Sequence, residues 1–175
     1  MAHPLYRVRQ FFDALRAVPL SKHEMERVRS VLNANAFALY QSMPLGDQRH
    51  SLKIFDALCA QGYTAPAILQ AALLHDVAKR KVGLVHRTGV ILLNRFAPNA
   101  LPRMASTNER SWRYPLYVSL HHPEIGAELA QRAGVTEPAL TLIRVHQKKE
   151  CAFEGMDAAQ LDEWHRALKL LDDVN

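Results

Sequence analysis

Cysteine is scarce in this chain. Its 175 residues hold two, Cys59 and Cys151, with neither the number nor the spacing of a disulfide framework or a zinc finger, so a reducing cytoplasm is the expected setting. Long apolar runs are missing as well. No window approaches the roughly 20 apolar residues of a membrane span, and Arg7 and Arg9 precede no apolar signal core, so a soluble protein with no membrane partner is expected. No strand alternation, repeat or low-complexity tract can be read, which leaves an all-α class. The lysines and arginines form no run either. A formal charge of +5 and a pI of about 9.4 suit an anionic ligand such as a phosphate ester. Without a clustered basic helix or interleaved aromatics, that balance does not mark a nucleic-acid binder.

What is present begins with apolar mass. At 49% hydrophobic the chain is long enough for one well-buried core and too short to favour two full domains, so a single-domain helical bundle is expected. Inside the apolar run 71–78 stands an ionisable pair, His75 and Asp76. An unpaired carboxylate taken out of water costs several kcal/mol, comparable with the whole stability of a small domain, so Asp76 needs a cation or strong donors beside it. A metal ion is such a cation. Further candidates recur at His50, His121, His122, His146, Asp172 and Asp173, each at or near the inward face or the end of an expected helix.

Leu5, Val8, Phe12 and Leu15 fall at helical spacing, and Ser21 with Glu24 forms a capping box that opens a second helix. Residues 1–46 are read as these two N-terminal helices, packed on a core of residues 47–175. Asp47, after the turn at Pro44, reads as the N-cap of a helix on which His50, Ile54 and Leu58 stack at four-residue intervals until Gly62. Thr64 and Pro66 start the helix that carries His75 and Asp76 near its C-terminal end. Between Arg80 and Leu120 the pattern weakens to a short helix over 90–96, with Pro98, Pro102 and Pro115 breaking anything longer. His121, His122 and Pro123 then read as the entrance to a helix stopped at Gly134. Thr136, Glu137 and Pro138 open another, with Ala139, Leu142, Ile143 and His146 on one stripe. The last, after Asp157, carries Leu161, Trp164, Leu168 and Leu171, with Asp172 at the stripe's edge.

Taken in order, His50, His75 with Asp76, His122, His146 and Asp172 resemble the signature of the HD-domain metal-dependent phosphohydrolases, an all-helical superfamily. The local words agree. Leu73-Leu74-His75-Asp76-Val77-Ala78-Lys79 is similar to the central LLHDIGK motif, His122-Pro123-Glu124-Ile125-Gly126-Ala127 to the HPEIGA segment, and Leu171-Asp172-Asp173 to the terminal AD element. The resemblance covers about His50 to Asn175 and implies an HD-type bundle preceded by two extra helices. It implies one metal on His50, His75, Asp76 and Asp172, and a second on His122 and His146 with Asp76 bridging. Such donors suit one or two divalent ions without choosing among Fe, Mn, Co, Zn and Mg. The implied reaction is hydrolysis, by a metal-activated hydroxide, of a phosphomonoester, phosphodiester or phosphoanhydride bond in a small nucleotide-like substrate. The alternative is a non-catalytic HD-fold module that senses a nucleotide or a metal. A homo-oligomer stays open.

Each assignment has a rival. His50 on spacing alone is equally a core histidine bonded to a carbonyl. The family word picks His122 over His121, which leaves His121 as an additional ligand or a group supporting the ligands. Stripe and word both favour Asp172 over Asp173. Lys79, expected as catalytic together with Asp76, lies one turn from His75, placed to hold a substrate phosphate or to offset the carboxylates; a solvated helix end is its plain alternative. Arg49 and Arg87 are further expected anion contacts. The 80–120 segment is expected to form a specificity wall or lid. Trp112, Tyr114 and Tyr117 either line a pocket wall or pack in the core. His3, His23 and His165 read as surface groups with no role.

Overall fold

The computed structural model describes residues 17–97, 99–155 and 157–174. The expected helix over 5–15 and His3 lie outside them. Among the described residues the chain is all-helical and no strand forms.

Helix α1 (Lys22–Val31) begins at the expected capping box: Ser21 Oγ accepts from the Glu24 amide at 3.2 Å, and Glu24 Oε2 accepts from the Ser21 amide at 2.7 Å. Helix α2 (Ala34–Gln41) follows, capped by Asn33, whose Oδ1 accepts from the Ala36 amide. Sequence periodicity did not reveal α2, because a helix that is apolar on nearly every side has no polar face to set a period. Val28, Leu32, Phe37 and Tyr40 enter the same hydrophobic cluster as Leu58, Leu73, Leu142 and Leu168, so the N-terminal helices and those that carry or end at His50, His75, His146 and Asp172 share one core.

Helix α3 (Leu45–Ala60) opens one turn earlier than Asp47. Pro44 takes the cap position, and Asp47 lies buried in the first turn, gripped by both Nη atoms of Arg87 at 2.6 Å. The expected N-cap role is thus replaced by a buried ion pair. Ile54 and Leu58 are fully buried, and Gly62, with φ of +88°, turns the chain back in a conformation open to glycine. Helix α4 (Pro66–Leu74) starts at Pro66 as expected and ends before the ionisable pair. His75 is its C-cap, and Asp76 heads a 3-10 turn, Val77–Lys81. Lys79 therefore leaves the axis of α4 and folds back onto Asp76.

The segment after Lys81 is more helical than its sequence suggests, with α5 (Leu84–Phe96), α6 (Ala100–Met104) and the long α7 (Tyr114–Arg132). Pro102 and Pro115 start helices rather than break them, because they sit in first turns where no N–H has an intrahelical acceptor. His121, His122 and Pro123 lie inside α7, not at its entrance. The helix kinks at His121 (φ −116°, ψ 16°), where Pro123 can give no N–H to the Ser119 carbonyl. Helices α8 (Ala139–Val145) and α9 (Ala158–Val174) complete the bundle. Helix α4 packs between α3 and α8, α7 covers α8 and the 3-10 turn, and α9 closes against α3 and α8. Among the described residues no helix is long and apolar enough to cross a membrane.

Candidate metal centre

Three histidines stand where a helix ends or breaks, and each is held by its own backbone. His75 Nδ1 lies 2.9 Å from the Ala72 carbonyl, His122 Nδ1 3.0 Å from that of Ser119, and His146 Nδ1 2.8 Å from that of Ile143. Carbonyls only accept, so every Nδ1 carries a proton and donates it. The acceptors are carbonyls that helix geometry leaves available: Ala72 and Ile143 belong to the last turns of α4 and α8, and Pro123 frees that of Ser119. This bond fixes each ring and turns Nε2 inward.

The Nε2 atoms of His75, His122 and His146 are buried and have no hydrogen-bond partner, and Asp76 Oδ1, buried with them, meets the Lys79 ammonium at 2.8 Å. They face one another. Candidate ligand atoms of Asp76, His122 and His146 all lie within 4.8 Å of one another, as do those of His50, His75 and Asp76. Asp76 belongs to both groups, with Oδ1 3.5 Å from His122 Nε2 and 3.7 Å from His146 Nε2. Asp172 reaches the first group from α9, its Oδ1 3.0 Å from His50 Nε2 and 3.5 Å from His75 Nε2. Five separate stretches of chain thus deliver His50, His75 with Asp76, His122, His146 and Asp172 to one largely buried cluster, within which His50, His75 and Asp76, and Asp76, His122 and His146, could hold a metal ion.

The electrostatics leave two of the three rings in the neutral form that can bind a metal. Burial, followed by the Lys79 ammonium, takes His122 down to about 3, and burial with His75 beside it takes His146 down to about 4, so both rings are neutral at pH 7. Burial also works to lower His75, but the Asp76 and Asp172 carboxylates outweigh it and hold that ring up to about 9. Burial would raise Asp76, yet Lys79 and His75 keep its carboxyl well below the usual range. Burial would raise Asp172 too, and the hydrogen bond from His50 with the charge of His75 holds it down. Lys79 Nζ lies 2.8 Å from Asp76 Oδ1 and 2.9 Å from Oδ2, with about a quarter of its side chain exposed.

Other expected site residues fall elsewhere. His121 is exposed and lies against the Tyr117 ring at 4.5 Å, outside both ligand groups. Arg49 is held by Glu24 and by the carbonyls of Val18 and Pro19, and Arg87 by Asp47 and the carbonyls of Val82 and Lys79, so both guanidinia are committed to structural partners. Asp173 pairs with Lys169 at the surface. His165, read from sequence as a surface group, is buried, its Nε2 3.1 Å from the Val145 carbonyl and its ring beside Phe153. Its place on the buried stripe of α9, next to Trp164, was the available signal. No family model, curated protein or solved structure matches the chain.

Proposed function

We propose that the chain is a metal-dependent phosphohydrolase of the HD type that acts on a small phosphorylated, nucleotide-like substrate. One observation carries the reading: three buried imidazole nitrogens with no hydrogen-bond partner, gathered around the Asp76 carboxylate. Each such atom left unsatisfied costs about 1–3 kcal/mol, and the set is a large share of the stability of about 5–15 kcal/mol expected of a domain. Divalent cations bound in the two groups would satisfy them. The mixture of imidazole and carboxylate fits a first-row divalent ion, with His50, His75, Asp76 and Asp172 holding one and Asp76, His122 and His146 a second. When bound, the metal supplies Lewis acidity and an acidified water for attack on a phosphoryl centre. Asp76 joins the two sets of ligands. Lys79, partly exposed beside it, supplies the ammonium that holds a substrate phosphate. The nucleotide-like class rests on the sequence resemblance.

Metal analysis of the purified protein, followed by release of nitrophenol from nitrophenyl phosphate and bis(nitrophenyl) phosphate, tests the reading. The expected result is stoichiometric divalent metal and turnover, both lost in Asp76→Ala. Bound metal with no turnover of either probe or of a nucleotide panel transfers the site to a sensing module. No bound metal after reconstitution with Mn or Fe ends both readings.

A further inference from the structure

The net charge of the chain sits in one place. Between positions 80 and 121 seven lysines and arginines meet a single carboxylate, Glu109, so this segment carries a formal +6 and the remaining residues together −1. Viewed one at a time the basic residues look scattered; taken by segment they are not. Arg87 is committed to Asp47, but Lys81, Arg95, Arg103 and Arg110 are exposed.

The same segment displays aromatic rings to solvent. Phe96 is 79% exposed and Trp112 66%, neither of which core packing explains. Arg95 Cζ lies 5.9 Å from the Phe96 ring centre, and a shallow cavity of about 540 Å³ is lined by Phe96, Arg103 and Met104 among others. Hydrogen bonds join the three elements. His86 Nε2 on α5 bonds the Trp112 carbonyl at 3.0 Å, and the Arg113 guanidinium donates to the carbonyls of Arg103 and Met104 on α6.

Exposed aromatic faces set among guanidinia are the chemistry that holds unpaired bases and their phosphates. A membrane-binding face would need a continuous apolar stripe, whereas the exposed large apolar side chains described here, Leu92, Phe96 and Trp112, are few and separated by arginines. We propose that the surface of α5, α6 and the loop before α7 binds single-stranded nucleic acid, with bases stacked on Phe96 and Trp112 and phosphates on Arg95, Arg103 and Arg110. The proposal is independent of the metal centre.

The test is fluorescence anisotropy of a fluorescein-labelled oligo(dT) titrated with the full chain in EDTA. Saturable binding is expected. With about three phosphates neutralised, affinity falls about 20-fold between 50 and 200 mM salt. Trp112→Ala and Phe96→Ala each weaken binding at least about fivefold, with unchanged melting temperature because both rings are exposed. The double variant Arg95→Glu, Arg103→Glu removes binding. No binding at the lower salt overturns the proposal. So does binding indifferent to both aromatic substitutions, which reports charge alone. Sedimentation with equimolar phosphatidylserine and phosphatidylcholine vesicles, in the absence of oligonucleotide binding, gives the face to a membrane and overturns it as well.

Discussion

Replacing Arg87 by leucine strips away the guanidinium that joins α5 to α3. In the native chain that group donates to both oxygens of Asp47 at 2.6 Å, and to the carbonyls of Val82 and Lys79 at 3.0 Å. The Asp47 side chain is only 11% exposed, so Arg87→Leu leaves a carboxylate out of water with no counter-charge. Breaking such a pair from one side costs about 3–5 kcal/mol. Because the Arg87 side chain is itself 28% exposed, water reaches the vacated space and the lower end, about 3 kcal/mol, is expected. For a chain of this size that is a fall in melting temperature of about 6–12 °C. Adding Asp47→Leu removes the stranded charge and restores most of the loss, since an apolar replacement of similar volume differs little from a buried pair. Thermal and urea unfolding of the wild type, the single and the double variant, followed by circular dichroism, measure all three. A single variant within about 1 kcal/mol of wild type, or a double variant no more stable than the single, refutes the reasoning.

Burial lifts the Tyr40 hydroxyl to about 12, above its ordinary 10, so its stabilisation is intact below pH 10 and is lost as pH climbs toward 12. The loss is roughly 3 kcal/mol. Tyr40→Phe loses the bond to the Gln48 carbonyl but flattens that alkaline slope, and parallel losses in the two proteins between pH 9 and pH 11.5 in urea titrations would count against it. Pro123→Ala restores an N–H that competes for the Ser119 carbonyl and so loosens His122. Metal affinity by calorimetry should drop about tenfold or more, with no loss of thermal stability in the metal-free protein. Gly126→Ala meets its neighbours, the His75 carbonyl and Ile143 Cγ2, at 3.6 Å, an ordinary contact. Helix propensity should then raise stability by about 0.5–1 kcal/mol, and destabilisation in a melt would show that glycine is needed for closer packing than this.

Local signals carried much of the fold. The capping box at Ser21, the start at Pro66, the turn at Gly62 and the stripe of α8 are each written within a few residues, and each stands where expected. What depends on distant partners could not be read. Asp47 looks like a cap until Arg87, forty residues on, takes its carboxylate. Pro123 looks like a helix start because proline is commonest there, and only the continuous packing of α7 against α8 and the 3-10 turn keeps the helix going through it. Helix α2 has no polar face, so its period is silent. His75 and Asp76 were legible because charge in an apolar run stands out, whereas His50, His122, His146 and Asp172 came from helical stripes and motif resemblance, and Asp172 separates from Asp173 by the angle each makes with the stripe of α9. His121 and His122, adjacent and alike, are told apart by the kink, which leaves one against Tyr117 and aims the other into the cluster.

The Nδ1 anchors of His75, His122 and His146 each close a ring of chain only three residues long. The bearing of each of these three imidazoles is therefore fixed by the turn beneath it. Substitutions far from these ends can shift a helix by a fraction of an ångström without rotating the donor atom it delivers. A centre assembled from five stretches of sequence can thus tolerate wide divergence in the rest of the chain, provided the turn beneath each ring keeps its shape.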